Sequence, residues 1–115
     1  MDQNQITQGV SFKEQFLNVI KKSYSDAHFS FVAVLPKFEM SLSSLTRKVK
    51  KEYDTTPQVY LREYRLSMAR EMLRESDKTI SIIAEECGFN SMSYFNRTFK
   101  TKYGNSPTRE RKKTV

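Results

Sequence analysis

Residues Met40 to Pro57 and Asn90 to Pro107 align without a gap at an offset of 50 residues, and this internal repeat limits the possible folds more than any other feature. Ser41 matches Ser91, Ser43 matches Ser93, and Arg47 matches Arg97. Lys50 matches Lys100, Tyr53 matches Tyr103, and Pro57 matches Pro107. Leu45 with Phe95, and Val49 with Phe99, keep apolar character. Any two amphipathic helices share serine caps and apolar spacing. Six identities in eighteen positions, including the proline, favour duplication of a structural unit. Each copy reads as a capped, basic, one-sided helix that ends in a Ser/Thr-Pro turn.

The rest of the chain carries helical spacing with little strand-like alternation. Phe12, Phe16, Val19 and Ile20 share one face before the polar break Ser23 to His28. Ser41, Thr56, Thr79 and Ser91 are expected N-caps. Thr56-Pro57 starts the longest periodic segment, because proline at the first helical position lacks an N–H that had no partner there. Its apolar residues Leu61, Tyr64, Met68, Ala69, Met72 and Leu73 are expected to face one way. Gly88 and Gly104 are expected to stop helices. Ile82, Ile83 and Ala84 read as the inward side of a short helix, and Phe89 as a core plug beneath the turn.

With 115 residues and 37% hydrophobic composition the chain can build a small core. Lys plus Arg number 20 against 13 Asp plus Glu, so the formal charge is +7 and the partner expected is a polyanion. One cysteine, Cys87, excludes an internal disulfide, and with one histidine, His28, it makes a Cys/His metal site implausible. No cofactor is expected. No apolar run approaches a membrane span and no secretory pattern opens the chain, so a soluble cytoplasmic protein without membrane contact is expected.

The repeat also places polar residues on the face opposite the core. Ser43, Thr46, Arg47 and Lys50 lie there in the first copy. Ser93, Asn96, Arg97 and Lys100 lie there in the second. Arg can pair bidentately with guanine, Asn with adenine, and Ser or Thr can take either role, whereas Lys more often meets phosphate. A solvated helix face is the commoner fate of such residues taken singly. Their repetition at matched positions favours recognition of double-stranded DNA. A short helix, a tight turn and a capped basic helix make a helix-turn-helix.

The second copy resembles the AraC/XylS family of bacterial transcription regulators. The resemblance rests on Ile83-Ala84, Gly88-Phe89, Ser91, Ser93-Tyr94-Phe95, Arg97, Phe99-Lys100, Gly104 and Ser106-Pro107. Tyr60-Leu61, Arg65-Leu66, Ala69 and Leu73 fit the family's linker helix, and the match covers about residues 12 to 111. It implies an all-α fold of about seven helices. The implied division is a disordered tail or cut point at 1–10 and a first helix-turn-helix subdomain at 11–55. A linker helix at 56–75, a second subdomain at 76–111 and a basic tail at 112–115 would follow. Carried over by position, the base readers would be Ser43, Thr46 and Arg47 in the first unit, and Met92, Ser93 and Arg97 in the second. RNA polymerase is an implied partner, and activation is the family's commoner mode. The effector or dimerisation domain usual in the family does not fit in 115 residues, so either it has been cut away or the chain is one of the small stand-alone members.

The first unit departs from the family pattern. Leu35 stands where a small residue is usual, Glu39 where a turn glycine is usual, and Asp54 replaces a glycine before Thr56-Pro57. Pro36 sits inside the expected positioning helix, where an interior proline costs about 3 kcal/mol. That helix is therefore expected to be kinked or to begin late. The basic run Arg109 to Lys113 reads either as a phosphate contact or as disordered, and its Arg-rich ending resembles the type III secretion activators of the family. The competing function is a basic protein-interaction module for an acidic regulatory partner; a membrane-surface helix fits less well because the apolar faces are needed for the core. No enzyme motif is present.

Overall fold

The computed structural model describes residues 11–113. It is built of α1 (Phe12–Ser23), a 3-10 turn (Phe31–Val34), α2 (Leu35–Phe38), α3 (Leu42–Tyr53), α4 (Pro57–Glu75), α5 (Ile80–Glu86), α6 (Met92–Tyr103) and α7 (Pro107–Lys113). There is no strand among the described residues, and seven α-helices match the all-α expectation. The expected tail at 1–10 and residues 114–115 lie outside the described residues.

Short polar side chains start the helices by accepting hydrogen bonds from otherwise unpaired N–H groups. Ser41 Oγ accepts from Ser44 N–H at 3.2 Å, and Ser91 Oγ from Tyr94 N–H at 3.2 Å. Thr56 caps α4 and Thr79 caps α5 in the same way, at 3.2 and 3.1 Å. Gly104 closes α6 in the left-handed region at φ 78°. Pro36 falls in the first turn of α2 rather than its interior. The preceding segment is a 3-10 turn, so the first positioning helix begins late, where the missing N–H of proline costs little.

Two cores form. Phe16, Val19, Ile20, Phe31, Phe38, Leu45, Val49 and Leu61 make the first. Leu66, Ala69, Leu73, Ile83, Ala84, Cys87, Phe89, Phe95 and Phe99 make the second. Helix α4 serves both, which corrects the expectation of one apolar face. Leu61 enters the first core, while Leu66, at about 140° around the axis, enters the second. A second correction concerns Ile82, which is 46% exposed while Ile83 and Ala84 are buried.

The basic run at the C-terminus is helical as far as Lys113. Glu110, read from sequence only as part of that run, is buried. Its Oε2 accepts from Arg70 Nε at 2.7 Å and from an Arg74 amino group at 3.2 Å. Those two guanidinium groups hold its carboxyl below the usual carboxylate range. Arg111 donates to the carbonyls of Leu73 and Ser76 at 3.2 and 3.1 Å, satisfying acceptors at the end of α4. Helix α7 is thus tied to α4.

The two cores meet at Tyr24 and Arg65. The Tyr24 side chain packs against both clusters and its ring lies 5.4 Å from that of Tyr64. Arg65, on α4, donates from Nε to the Tyr24 carbonyl at 2.8 Å and from an amino group to the Asp26 carbonyl at 2.7 Å. The radius of gyration is 16.3 Å, against about 13 Å for a compact domain of 100 residues. The extents of 52 × 28 × 22 Å follow from setting two small cores along one 19-residue helix.

Candidate nucleic-acid interface

Helices α3 and α6 are each twelve residues long, and each follows a serine cap. Leu45 and Val49 anchor α3 in the first core, and Phe95 and Phe99 anchor α6 in the second, all fully buried. Anchoring on that side turns the opposite side to solvent. Ser43, Thr46, Arg47 and Lys50 are all exposed, and so are Met92, Ser93, Asn96, Arg97 and Lys100. The fold therefore brings the expected residues together as two equivalent exposed sets, one per unit.

The local surroundings of the two sets differ. On α3, Thr46 Oγ1 donates to the Leu42 carbonyl at 2.9 Å. An Arg47 amino group donates to Ser44 Oγ at 3.4 Å. Lys50 pairs with Asp54 at 3.2 Å in a fully solvated i,i+4 contact worth a few tenths of a kcal/mol at most. On α6, the Arg97 guanidinium lies over the Tyr94 ring, 5.5 Å from its centroid. Met92 and Tyr94 are each 38% exposed.

The turns that aim these helices differ as well. In the second unit, the N–H of Phe89 donates to the Ala84 carbonyl and that of Gly88 to the Glu85 carbonyl, with Gly88 at φ 87°. This is a Schellman ending, closed by apolar contact of Phe89 with the core. A Cβ on Gly88 would stand 2.1 Å from the Tyr24 carbonyl oxygen and 2.6 Å from Arg65 Nε, so glycine also allows the close approach between units. In the first unit Glu39 takes the left-handed position at φ 53°, two residues before the Ser41 cap. Gly88 stands three residues before the Ser91 cap. The repeat thus slips by one residue upstream of the caps.

A groove of about 480 Å³ runs beside Arg97, lined by Arg62, Glu63, Thr98, Thr101 and Lys102. Lys102 pairs with Glu63 across it. Arg62 and Lys102 were not singled out from sequence, because nothing local shows that side chains of α4 and α6 meet there. Cys87 is buried and its thiol is pushed up to about 12, chiefly by burial, so it is a core group. His28 is exposed in the loop after α1, where its N–H donates to Asp26 Oδ1. No helix among the described residues is long and apolar enough to cross a membrane.

Comparison with known proteins follows the same geometry. A family described as "Helix-turn-helix domain" matches residues 36–113. The HTH-type transcriptional activator RhaS of Escherichia fergusonii is 40% identical over 78 residues, which cover 68% of this chain and 28% of that protein. The chain thus spans under a third of that relative's length. The C-terminal domain of the two-component response regulator yesN from Fusobacterium nucleatum superposes with a TM-score of 0.79 at 31% identity, covering 86% of this chain and 96% of that one. The DNA-binding domain of AdpA, solved in complex with a target DNA, shares the fold with a TM-score of 0.78 at 21% identity, covering 85% of this chain and 87% of that one. Two capped helices on paired cores, a matching helix-turn-helix family and these relatives together establish that the chain belongs to the AraC/XylS family of transcription regulators, as its DNA-binding domain.

Proposed function

We propose that this domain binds duplex DNA in a sequence-specific manner, with α3 and α6 in adjacent major grooves on one face. The observation that carries the reading is the presentation of matched exposed sets, Ser43/Thr46/Arg47/Lys50 and Ser93/Asn96/Arg97/Lys100, on one scaffold 52 Å long. Adjacent major grooves on one face are roughly 34 Å apart, so the scaffold is long enough to reach both. Residues 11–55 act as the first unit, 56–75 as the linker and 76–111 as the second unit. Ser43, Thr46 and Arg47 read bases in one groove, and Met92, Ser93, Asn96 and Arg97 in the other, with Met92 suited to a thymine methyl. Lys50 and Lys100 contact phosphate.

The domain acts in the bacterial cytoplasm at the nucleoid, as part of a longer regulator whose remaining length receives the signal. A relative is a transcriptional activator, and activation through contact with RNA polymerase at the promoter is the mode proposed. The test is a set of alanine variants on a selected duplex. Arg47→Ala and Arg97→Ala should each cost about 1–3 kcal/mol and relax preference at one position. Lys50→Ala and Lys100→Ala should weaken all sequences alike and reduce the salt slope by about one each. Unchanged base preference in both arginine variants, or position-specific losses in the lysine variants, would overturn these assignments.

A further inference from the structure

The residue three positions before the reading arginine differs between the two copies, Ser44 in one and Tyr94 in the other. In each copy the structure shows that residue holding the arginine. Ser44 Oγ accepts from an Arg47 amino group at 3.4 Å. The Tyr94 ring lies beneath the Arg97 guanidinium, 5.5 Å from centroid to Cζ, within the about 6 Å over which a cation is drawn to an aromatic face.

Both supports are themselves anchored. Ser41 Oγ, which caps α3, donates to Ser44 Oγ at 3.1 Å and lies 3.2 Å from Ser43 Oγ. A chain of hydroxyls thus links the cap, Ser43 and Arg47. On α6 the Tyr94 ring lies 6.2 Å from the Phe89 ring, which packs at 4.9 Å, tilted by 56°, against the fully buried Phe95. Tyr94 is therefore an aromatic shelf set on the core, although 38% of its surface is exposed.

The two supports leave the arginines in different states. A hydrogen bond to Ser44 occupies one guanidinium N–H of Arg47, and its geometry is long enough to be readily exchanged. An aromatic face attracts the guanidinium electrostatically and does not take up its N–H groups as a hydroxyl acceptor does. Those are the donors that a bidentate contact with guanine O6 and N7 requires. Holding a long side chain in the reading orientation before DNA arrives lowers the ordering cost of binding.

We propose that positions 44 and 94 are positioning residues for base reading, and that Tyr94 makes Arg97 the more discriminating of the two arginines. This rests on the reading of Arg97 as a base contact given above. Tyr94 acts through Arg97 without touching a base itself. The first unit, with its exchangeable Ser44 contact, tolerates substitutions at the Arg47 position more readily.

The experiment measures binding of the domain to the duplex recovered by selection from random DNA, and to its single-base variants. It compares the native domain with Tyr94→Leu, Tyr94→Phe, Arg97→Ala and the Tyr94→Leu/Arg97→Ala pair. Tyr94→Leu should lower discrimination at the base pair read by Arg97 roughly two- to fivefold, the scale of an exposed cation–π contact. Tyr94→Phe, which keeps the ring, should retain it. In the Arg97→Ala background Tyr94→Leu should add nothing. A Tyr94→Leu loss spread evenly over all sequences, or one that persists without Arg97, would overturn the proposal and make Tyr94 a direct or purely structural contact. If Arg97→Ala leaves every preference intact, the base-reading role fails first and the proposal with it. If Arg97→Ala removes one preference while Tyr94→Leu leaves it intact, the positioning role alone fails. Thermal melting of Tyr94→Phe and Tyr94→Leu separates lost folding from lost reading.

Discussion

Glu39 and Asp54 occupy left-handed backbone at φ 53° and 57°, where the family resemblance predicts glycine. A side chain there costs on the order of 1–2 kcal/mol; glycine relieves that strain, and the looser unfolded chain it creates offsets part of the gain. Glu39→Gly is expected to stabilise the fold by about 0.5–1 kcal/mol, read as a raised melting temperature. Asp54→Gly should gain less, because aspartate tolerates this conformation better and its pairing with Lys50 is lost. A drop in stability for Glu39→Gly would show that the side chain itself holds the turn. Gly88→Ala is the opposite case. Its φ of 87° and the Cβ clash with the Tyr24 carbonyl should together cost about 2–4 kcal/mol in denaturant unfolding. The glycine's helix-stopping role was legible in the sequence. Its second role was not, since its neighbours Tyr24 and Arg65 are remote along the chain.

The helices and their caps were legible at the scale of elements. Ser41, Thr56, Thr79 and Ser91 each hydrogen-bond as capping chemistry predicts. Helix α4 was misread because two cores draw on it from different sides, and superposing two apolar stripes erases a single periodicity. Of the two readings of the run Arg109 to Lys113, disorder is the one that α7 contradicts; a run of cations looks solvated until the buried Glu110 is seen among them. Glu110→Gln should destabilise the domain by about 1–2 kcal/mol at neutral pH, through loss of charged bonds to half-exposed Arg70 and Arg74. The folded-state carboxyl is held below its unfolded value. Its contribution is therefore full above the unfolded range and fades as pH falls through the folded value. The gap between native and Glu110→Gln stability should begin to narrow as pH falls below about 4 and keep narrowing as it falls further. A gap that stays constant from pH 7 to pH 3 would remove the ion pair from the account.

The whole molecule depends on how firmly the two units are held to α4. Tyr24 lies against both cores, and Arg65 bonds two carbonyls of the loop after α1. Arg65→Met should lower stability by about 1–3 kcal/mol. It should also weaken binding to a two-motif site more than to a single motif, because adjustment between the units then opposes simultaneous docking. Equal weakening of both sites would mean that Arg65 only stabilises the fold. The repeat, the exposed sets and the family were visible in the residues; the junction between units was not, since its contacts join segments about 40 residues apart. The central claim is that both units read DNA at once. Its most direct test is selection of binding sites from random duplex DNA by the native domain. The account predicts a site with two motifs about 10–10.5 base pairs apart, centre to centre. Recovery of one motif, or of none, would contradict it.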